Sequence, residues 1–300
     1  MKIAVLSRNP NLYSTQSLVL AGRRKGHHMK VIDHLQCDLI MEQNKLRVFY
    51  EGYDVTKVDA IIPRVGSSAT VYGASVIRQF ELNNVFTTLK SGPLLLSRSK
   101  LSSLQLLAAA GIPVPKSLIC TNAYALDSMA KYIGEYPMIM KMLNSTHGLG
   151  VLLANDPNQL QSLFETFSSL KQRMLMQEFI KEASGADIRV FVVNGQVIAA
   201  MKRQAKKGEF RSNLHRGATA TIEELSLEER AVAIKATQVL DLSIAGVDLL
   251  RSDKGPLILE VNPSPGLEGI ETTTRFDIAG YITDFIVETV LQNRKKHYER

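Results

Sequence analysis

A short hairpin near the end of the chain sharply narrows the folds available to it. Two apolar runs of strand length, Ile244–Leu250 and Leu257–Val261, flank a polar stretch of turn-forming residues, which is typical of a β-hairpin. Side chains alternate between the two faces of a strand, so Glu260 and Asn262 share a face. The length of the turn places Asp248 roughly opposite them. The sequence therefore predicts three oxygen-bearing side chains that converge on one face of a hairpin.

This arrangement predicts a metal site. Acidic and amide residues form strands poorly, and a desolvated carboxylate is costly unless a positive charge pairs with it. Oxygen ligands with only two carboxylates suit Mg²⁺ or Mn²⁺, which keep bound water and take further ligands from substrate phosphates. The alternative is an edge hairpin facing water, but Ile244 and Ile258 lie on the same face. The residues that follow predict a rigid loop that other groups can approach closely: Pro263, Pro265, Gly266 and Gly269.

Composition limits the class of protein. A chain of 300 residues with 45% hydrophobic residues can bury the core of two domains or of one large domain. No apolar run approaches a membrane span, and Cys37 and Cys120 lack the spacing of a zinc site, so we expect a cytoplasmic protein with reduced cysteines. A net charge of +7 favours acidic partners, while 6% aromatic residues and no Trp argue against sequence-specific nucleic-acid binding.

The first third of the chain alternates strand and helix patterns. Strands are predicted at 2–7, 29–33 and 59–63, helices at 14–25 and 69–82, and a polar hairpin-like region at 38–55. This order predicts an open α/β sheet. Arg64 directly follows a strand, where open sheets place ligand contacts, although a solvated loop arginine would give the same pattern.

The rest of the chain predicts two further units. A helix at 99–110 and a stiff connector at 112–116 precede strands at 137–141, 150–154 and 173–179, with helices at 123–132 and 157–170 between them. The remainder carries the hairpin and helices at 226–240 and 276–292. We therefore predict domains at 1–97, 98–182 and 183–300.

Two segments are suited to phosphate. Lys141 ends a predicted strand before N-S-T-H-G-L-G at 144–150, whose small residues leave backbone N–H groups free to surround phosphate oxygens. The second segment, 202–217, is strongly basic, although a solvated basic face would also fit. Its functional candidates are Lys202, Arg203, Lys206, Lys207, Arg211, Ser212, Asn213 and Arg216.

Together these motifs resemble a known family. The run E-V-N-P-S-P-G-L-E-G-I-E at 260–271, with Asp248 upstream and R-S-N-L-H-R-G at 211–217, is similar to the ATP-grasp ligases of the RimK type, and the likeness begins with M-K-I-A-V-L-S-R. These are ATP-dependent glutamate ligases that modify a small-subunit ribosomal protein. The resemblance implies an α/β (α+β ATP-grasp) fold, in which an N-terminal open α/β domain is followed by two α+β subdomains that clasp ATP.

The resemblance also assigns residues. It implies a metal site for two ions, Mg²⁺ or Mn²⁺, at Asp248, Glu260 and Asn262, and it places Arg203 and Arg211 over the transferring phosphate as catalytic residues. It implies ATP contacts from Lys100, Lys141, Glu178, Phe179, Asp187, Arg211, Ser212 and Asn213. Two positions depart from the family, which usually carries Glu-Gly-Thr-Gln-Gly at 144–148 and Asp-Lys where Ser99-Lys100 stands here.

The reaction implied by the resemblance has two steps. A substrate carboxylate attacks the γ-phosphoryl group of ATP to give an acyl phosphate, and the amine of L-glutamate then displaces phosphate. The acceptor would be the C-terminal tail of a small-subunit ribosomal protein, and we expect a homo-oligomer. Two alternatives stay open: a related ligase acting on a small carboxylic acid, and a ribosome-binding protein that has kept the fold without catalysis.

Overall fold

The N-terminal part forms a parallel sheet with helices packed on it. The computed structural model describes residues 1–143 and 150–298. Its first elements are β1 (Lys2–Leu6), α1 (Tyr13–Arg24), β2 (His28–Ile32), β3 (Cys37–Glu42), β4 (Lys45–Tyr50), β5 (Tyr53–Asp54), β6 (Ala60–Pro63), α2 (Thr70–Leu82) and β7 (Phe86–Thr87). The strand order β2-β1-β6-β7 is parallel throughout, and β3, β4 and β5 form a separate antiparallel sheet. This confirms the open α/β sheet and the hairpin region.

Two helices lead into a central antiparallel sheet. The elements are α3 (Ser91–Arg98), α4 (Lys100–Ala109), β8 (Ser117–Leu118), α5 (Leu126–Ile133), β9 (Met138–Met142), β10 (Val151–Ala154), α6 (Pro157–Ser169) and β11 (Met174–Glu178). The strand order is β10-β9-β11-β8. Ser99 caps α4, because its side chain accepts a hydrogen bond from the Ser102 N–H. Serine and aspartate are about equally good caps, so this departure from the family preserves the start of the helix.

The C-terminal part contains the predicted metal hairpin. Its elements are β12 (Ala186–Val193), β13 (Gln196–Gln204), β14 (Thr219–Ile222), α7 (Leu227–Val239), β15 (Ile244–Ser252), β16 (Gly255–Asn262), α8 (Glu268–Thr274) and α9 (Ile278–Tyr298). The antiparallel sheet has the order β14-β13-β12-β15-β16. The hairpin is confirmed, and its register pairs Asp248 with Glu260 and Gly246 with Asn262.

Two hydrophobic cores contain residues from both the N-terminal and the C-terminal part of the chain, and the central sheet has a separate core. One core packs Leu6 and Phe80 together with Val190 and Val247, and a second joins the α1 side of the N-terminal sheet to Ile282 on α9. The buried residues in the core of the central sheet lie between Leu126 and Met176, with Leu118 and Cys120 packed against them. The N-terminal and C-terminal parts therefore share buried contacts that the central sheet does not have.

Two predictions about local structure were incomplete. The sequence interpretation missed α3, in which Pro93 lies in the first turn, where its missing N–H leaves no helical hydrogen bond unmade. The predicted loop at 263–269 is too long, since α8 begins at Glu268. Close approach is nevertheless confirmed at Gly269, where an added Cβ would lie 2.6 Å from Cδ1 of Leu214. Within residues 1–143 and 150–298, no helix has the length and apolar character that crossing a membrane requires.

Candidate active site

A row of charged side chains crosses the C-terminal sheet. Arg203 on β13 lies opposite Asp187 on β12, and both hydrogen bonds between guanidinium and carboxylate measure 2.6 Å. Two residues further along β12, on the same face, Arg189 lies opposite Asp248 on β15 and donates to both of its carboxylate oxygens. Asp248 lies opposite Glu260 on β16. We call these five residues the charge row.

The charge row is buried at its centre and ends in a carboxylate without a partner. The side chains of Asp187, Arg189, Arg203 and Asp248 are at most 13% exposed. Glu260 is exposed, and within the described part of the chain it makes no hydrogen bond or ion pair. Two arginines against three carboxylates leave one net negative charge, and the pairing places it at the Glu260 end.

Ion pairing favours the charged forms of Asp248 and Arg203 at the buried centre of the row. Burial opposes ionisation of Asp248, but Arg189 and Arg203 outweigh it and hold the pKa of this carboxyl below its ordinary value. Burial also opposes the charge of Arg203, and here Asp248 and Asp187 outweigh it and raise the pKa. Nη2 of Arg203 lies 2.9 Å from Oδ2 of Asp248, so this carboxylate accepts from both arginines. Loss of one partner from such a buried pair costs about 3–5 kcal/mol.

Two predicted ATP ligands lie near the Glu260 end of the row. Nζ of Lys141 on β9 donates to Oε1 of Gln177 at 2.6 Å, and Nζ of Lys100, the first residue of α4, lies 3.5 Å from the Leu143 carbonyl. Burial lowers the pKa of Lys141 to about 8, with the charge of Glu260 acting in the opposite direction. Burial lowers the pKa of Lys100 as well. An anionic ligand would offset the cost of these buried ammonium groups.

The donor set at the hairpin fits a hard divalent cation. Glu260 has both oxygens available, and Oδ1 of Asn262 accepts one hydrogen bond, from the Ser264 N–H at 3.0 Å. A carboxylate has about four acceptor positions, and the N–H groups of Arg189 and Arg203 take three of those on Asp248. Across residues 1–143 and 150–298, no three His, Cys, Asp or Glu side chains are grouped to hold a metal ion. A cation here would therefore use Glu260, Asn262, the remaining position on Asp248 and oxygens of a bound phosphate.

Arg211 is held by a carboxylate two residues away. Oε1 of Glu209 accepts from Nε of Arg211 at 2.9 Å, and Oε2 accepts from Nη2 at 2.7 Å. These hydrogen bonds lower the pKa of Glu209 to about 2. Nη1 of Arg211 also lies 3.4 Å from the carbonyl oxygen of Val151 on β10, so the arginine connects the basic segment to the central sheet.

The neighbours of Arg211 also lie close to the charge row. Ser212 is 8% exposed, and its nearby hydroxyl opposes the rise that burial causes in the pKa of Asp187. Asn213 directly precedes the short turn Leu214–Arg216. The predicted ATP residues Asp187, Arg211 and Ser212 therefore lie on neighbouring segments, and the charge row connects them to the hairpin.

Glu178 and Phe179, two of the predicted ATP contacts, line a separate cavity of about 380 Å³ between the central sheet and the hairpin turn. Glu178 ends β11, and its Oε1 accepts from the backbone N–H of Lys116 at 2.7 Å. Phe179 packs edge-on against Phe210, with ring centroids 6.5 Å apart. The residues that line the cavity are Ile133, Gly134, Glu135, Glu178, Phe179, Lys181, Glu182 and Asp253.

Sequence reasoning missed Arg189, Gln177 and Glu209. Arg189 could have been found, because Asp187 and Arg189 are two apart on a strand and share the face that carries Asp248. Gln177 and Glu209 give no comparable signal, since their roles depend on which side chain folds against them. The predicted phosphate loop at 144–150 lies outside the described residues except for Gly150, and so do the departures from the family at Asn144–His147.

Family comparisons cover nearly the whole chain. Residues 1–94 match the RimK PreATP-grasp domain, and residues 97–286 match the RimK-like ATP-grasp domain. The chain is 47% identical over 296 residues to a probable alpha-L-glutamate ligase of Nitrosococcus oceani, covering 99% of this chain and 98% of that protein. It is 50% identical over 286 residues to a probable alpha-L-glutamate ligase of Azotobacter vinelandii, covering 95% of each.

Solved structures agree on the fold. The ATP-grasp ligase PsnB, complexed with a minimal precursor, superposes with a TM-score of 0.77 at 21% identity, covering 96% of this chain and 98% of that one. The same ligase has also been solved with its minimal precursor, Mg and ADP. At this level of identity the likeness concerns the fold alone.

Proposed function

This chain belongs to the RimK-like ATP-grasp family and is an ATP-dependent carboxylate–amine ligase, and on that premise we propose that it adds L-glutamate to the C-terminus of a small-subunit ribosomal protein. The observation that carries the proposal is the Glu260 end of the charge row. The Glu260 carboxylate has no direct ion pair in the described residues, and its charge acts on Lys100 and Lys141, whose pKa values burial lowers. A nucleotide polyphosphate with its divalent cation matches this pattern of charge.

The proposed cofactors are ATP and two divalent cations, Mg²⁺ or Mn²⁺. Glu260, Asn262 and the remaining acceptor position on Asp248 would hold the cations, which supply positive charge to the phosphate oxygens when bound. Lys100 and Lys141 would contact the phosphates, and Glu178 and Phe179 would receive the adenine in the 380 Å³ cavity. Ser212 and Asn213 complete the proposed nucleotide contacts.

The proposed chemistry needs no protein nucleophile. An oxygen of the acceptor carboxylate attacks the γ-phosphorus, the bond to the β–γ bridging oxygen breaks, and ADP leaves with the electron pair. The amine of glutamate then attacks the acyl carbon, phosphate departs and one proton is released. Arg211 would neutralise charge on the transferring phosphoryl group. Because its guanidinium already donates to Glu209, Arg211 would have to contact the phosphoryl group and Glu209 at the same time.

Arg203 has a more constrained position than Arg211. Its side chain is 7% exposed and already donates to Asp187 and Asp248. From this position its first effect is to hold Asp248, and through it the hairpin, in place. A direct contact between Arg203 and the transferring phosphate stays a prediction.

The acceptor is proposed from charge and access. The segment 202–216 carries several cationic side chains beside the proposed active site, and opposite charge attracts an acidic, unstructured tail. A flexible C-terminus can reach a recessed acyl phosphate, whereas a folded surface cannot.

The experiment that tests the proposal is incubation of the protein with ATP, Mg²⁺, labelled L-glutamate and purified ribosomal proteins, followed by mass spectrometry. Label at the C-terminus of a small-subunit protein would support the proposal. Label only in a small molecule would assign the chain to ligases of small carboxylic acids. Absence of both label and ADP would favour a non-catalytic role. The matched control omits ATP.

A further inference from the structure

Three arginines converge on one segment at the carboxyl edge of the N-terminal sheet. Arg64 follows β6, and Nη2 of Arg98, the last residue of α3, donates to the carbonyl oxygen of Val65 at 2.7 Å. Arg8 follows β1 by two residues, and its Nη2 lies 3.7 Å from where a Cβ would stand on Gly66. Arg98 and Arg8 therefore approach residues 65 and 66, and the like charge of Arg98 acts on the neighbouring Arg64. We call Arg8, Arg64 and Arg98 the arginine crevice.

The topology places this crevice where open sheets bind ligands. In the order β2-β1-β6-β7, the chain leaves β1 toward β2 on one side and later adds β6 on the other side. The switch point is therefore between β1 and β6, and ligands bind outside the carboxyl ends of the strands at such points. Arg8 and Arg64 stand at those two strand ends.

The arginine crevice also lies next to the proposed reaction centre. Nη2 of Arg64 donates to the carbonyl oxygen of Pro265 at 2.7 Å, in the loop that directly follows Asn262. On the other side, α3 leads through Ser99 into Lys100, one of the proposed phosphate ligands. The arginine crevice is thus tied to both sides of the proposed reaction centre.

The arginine crevice has no direct ion pair in the described residues, although the charge of Glu260 opposes the lowering that burial causes in the pKa of Arg98. Within residues 1–143 and 150–298, none of the three arginines forms an ion pair with a carboxylate, and Nε of Arg98 is buried without a hydrogen-bond acceptor. Burial, together with the like charge of Arg98, lowers the pKa of Arg64 to about 10. Arg8 is exposed, whereas burial makes the charges of Arg64 and Arg98 costly, and an anionic ligand would relieve that cost.

We infer that the arginine crevice binds the carboxylates of the incoming amino acid, the two groups of glutamate that take no part in bond formation. This inference rests on the proposed function and adds to it the basis of selection for a dicarboxylate. Guanidinium groups bind carboxylates in a planar, two-point geometry that suits this task. A free amino acid can bind at the strand ends beside the Pro265 loop, whereas a polypeptide needs an open path such as the one past the exposed Lys206 and Lys207.

The test separates the two substrates kinetically. Arg98→Gln and Arg8→Gln are expected to raise KM for glutamate about tenfold to a hundredfold, the effect of losing one charge-assisted pair, with KM for ATP within about twofold. They should also narrow the preference for glutamate over glutamine. Arg98→Lys keeps the charge without the two-point geometry and should fall between. Arg47→Gln, in the same domain on β4, is the matched control.

Two further measurements keep the inference falsifiable. Hydroxylamine traps the acyl phosphate without glutamate, so hydroxamate formation should stay within about threefold of wild type in both Gln variants. Calorimetric titration of L-glutamate into protein loaded with Mg²⁺ and a non-hydrolysable ATP analogue should show binding that the Gln variants lose. Loss of hydroxamate formation in the Gln variants would assign the crevice to the acceptor, and a raised KM for ATP would assign it to phosphate. The inference would also be overturned if the Gln variants bound glutamate as wild type does, or if wild type bound no glutamate.

The same experiments distinguish this inference from the proposed function. Glutamate incorporation into a ribosomal protein by wild type is the readout of the proposed function. Glutamate binding and its loss in the Gln variants are the readout of the crevice, and they require no acceptor. A wild type that binds glutamate through these arginines but modifies no ribosomal protein would overturn only the acceptor assignment.

Discussion

Replacing Lys141 by Met should stabilise the unliganded protein while impairing ATP binding. The pKa of Lys141 falls from 10.5 to about 8, and each unit corresponds to about 1.4 kcal/mol, so the buried charge costs roughly 3 kcal/mol at pH 7. The substitution also removes the donor to the buried Gln177 oxygen, which costs about 1 kcal/mol. We therefore expect Lys141→Met to raise the free energy of unfolding by about 2 kcal/mol at pH 7.

The difference in stability between wild type and Lys141→Met should depend on pH. Because the folded-state pKa is lowered, the cost of the Lys141 charge is fully present below pH 8 and disappears as pH rises toward 10.5. Wild type should therefore gain stability relative to Lys141→Met across this window, until the variant's advantage vanishes. The affinity of wild type for a non-hydrolysable ATP analogue should fall over the same window, because the ammonium group is then lost.

Urea unfolding at several pH values between 7 and 10, without nucleotide or metal, measures the difference in stability. Effects of other titrating groups cancel, since both chains share them. Lys235→Met, which removes one exposed charge on α7, is the matched control. A variant that is less stable than wild type at pH 7, or a difference that does not change with pH, would refute the burial argument for Lys141.

Three further predictions concern the reaction. Glu260→Gln should keep the fold and lower turnover at least a hundredfold, since it removes the uncompensated carboxylate; ADP release within a few-fold of wild type would reject the metal assignment. Arg211→Gln should lower kcat more than it weakens ATP affinity, whereas Lys207→Gln, which removes a neighbouring charge, should change neither kcat nor ATP affinity. Single-turnover rates and nucleotide titration compare the two variants. Glutamate transfer to a polypeptide acceptor should fall as salt rises from 50 to 300 mM, because screening weakens the attraction of the basic segment for an acidic tail; a KM for the acceptor that ignores salt contradicts this.

The fold was predictable where local patterns determine it. The hairpin and the pairing of Asp248 with Glu260 were predicted, but turn length and alternation alone do not give this register. Leu249 lies opposite Ile258, and a bulge between Asp248 and Leu249 shifts the next pair to Asp248 and Glu260. The parallel N-terminal sheet follows from the alternation of strands and helices. Helix α3 was missed because Gly92 and Pro93 usually mark a loop, and the packing of Leu94 against the core outweighs that local preference.

The candidate site was predictable only in part, because its energetics depend on pairs that are distant in sequence. Arg189 and Asp248 are on adjacent strands but 59 residues apart in sequence, and no local pattern specifies that both are buried. The same holds for Lys141 and Gln177 on neighbouring strands. Residue types at the site can therefore be named from sequence, whereas their protonation and their partners cannot.

The distribution of charge explains why one hairpin can serve both stability and chemistry. Arg189 and Arg203 neutralise Asp187 and Asp248 within the sheet, so the buried centre of the charge row is satisfied without a ligand. Glu260 has no direct ion pair in the described residues, and its charge acts on Lys141 and on Arg98 of the arginine crevice, which has no direct ion pair either. Charges without a direct partner cost stability in the unliganded protein. The cost at each site would be relieved only when its own ligand is bound, a cation with polyphosphate at Glu260 and a dicarboxylate at the arginine crevice, so filling both favours the arrangement in which the acyl phosphate and the amine meet.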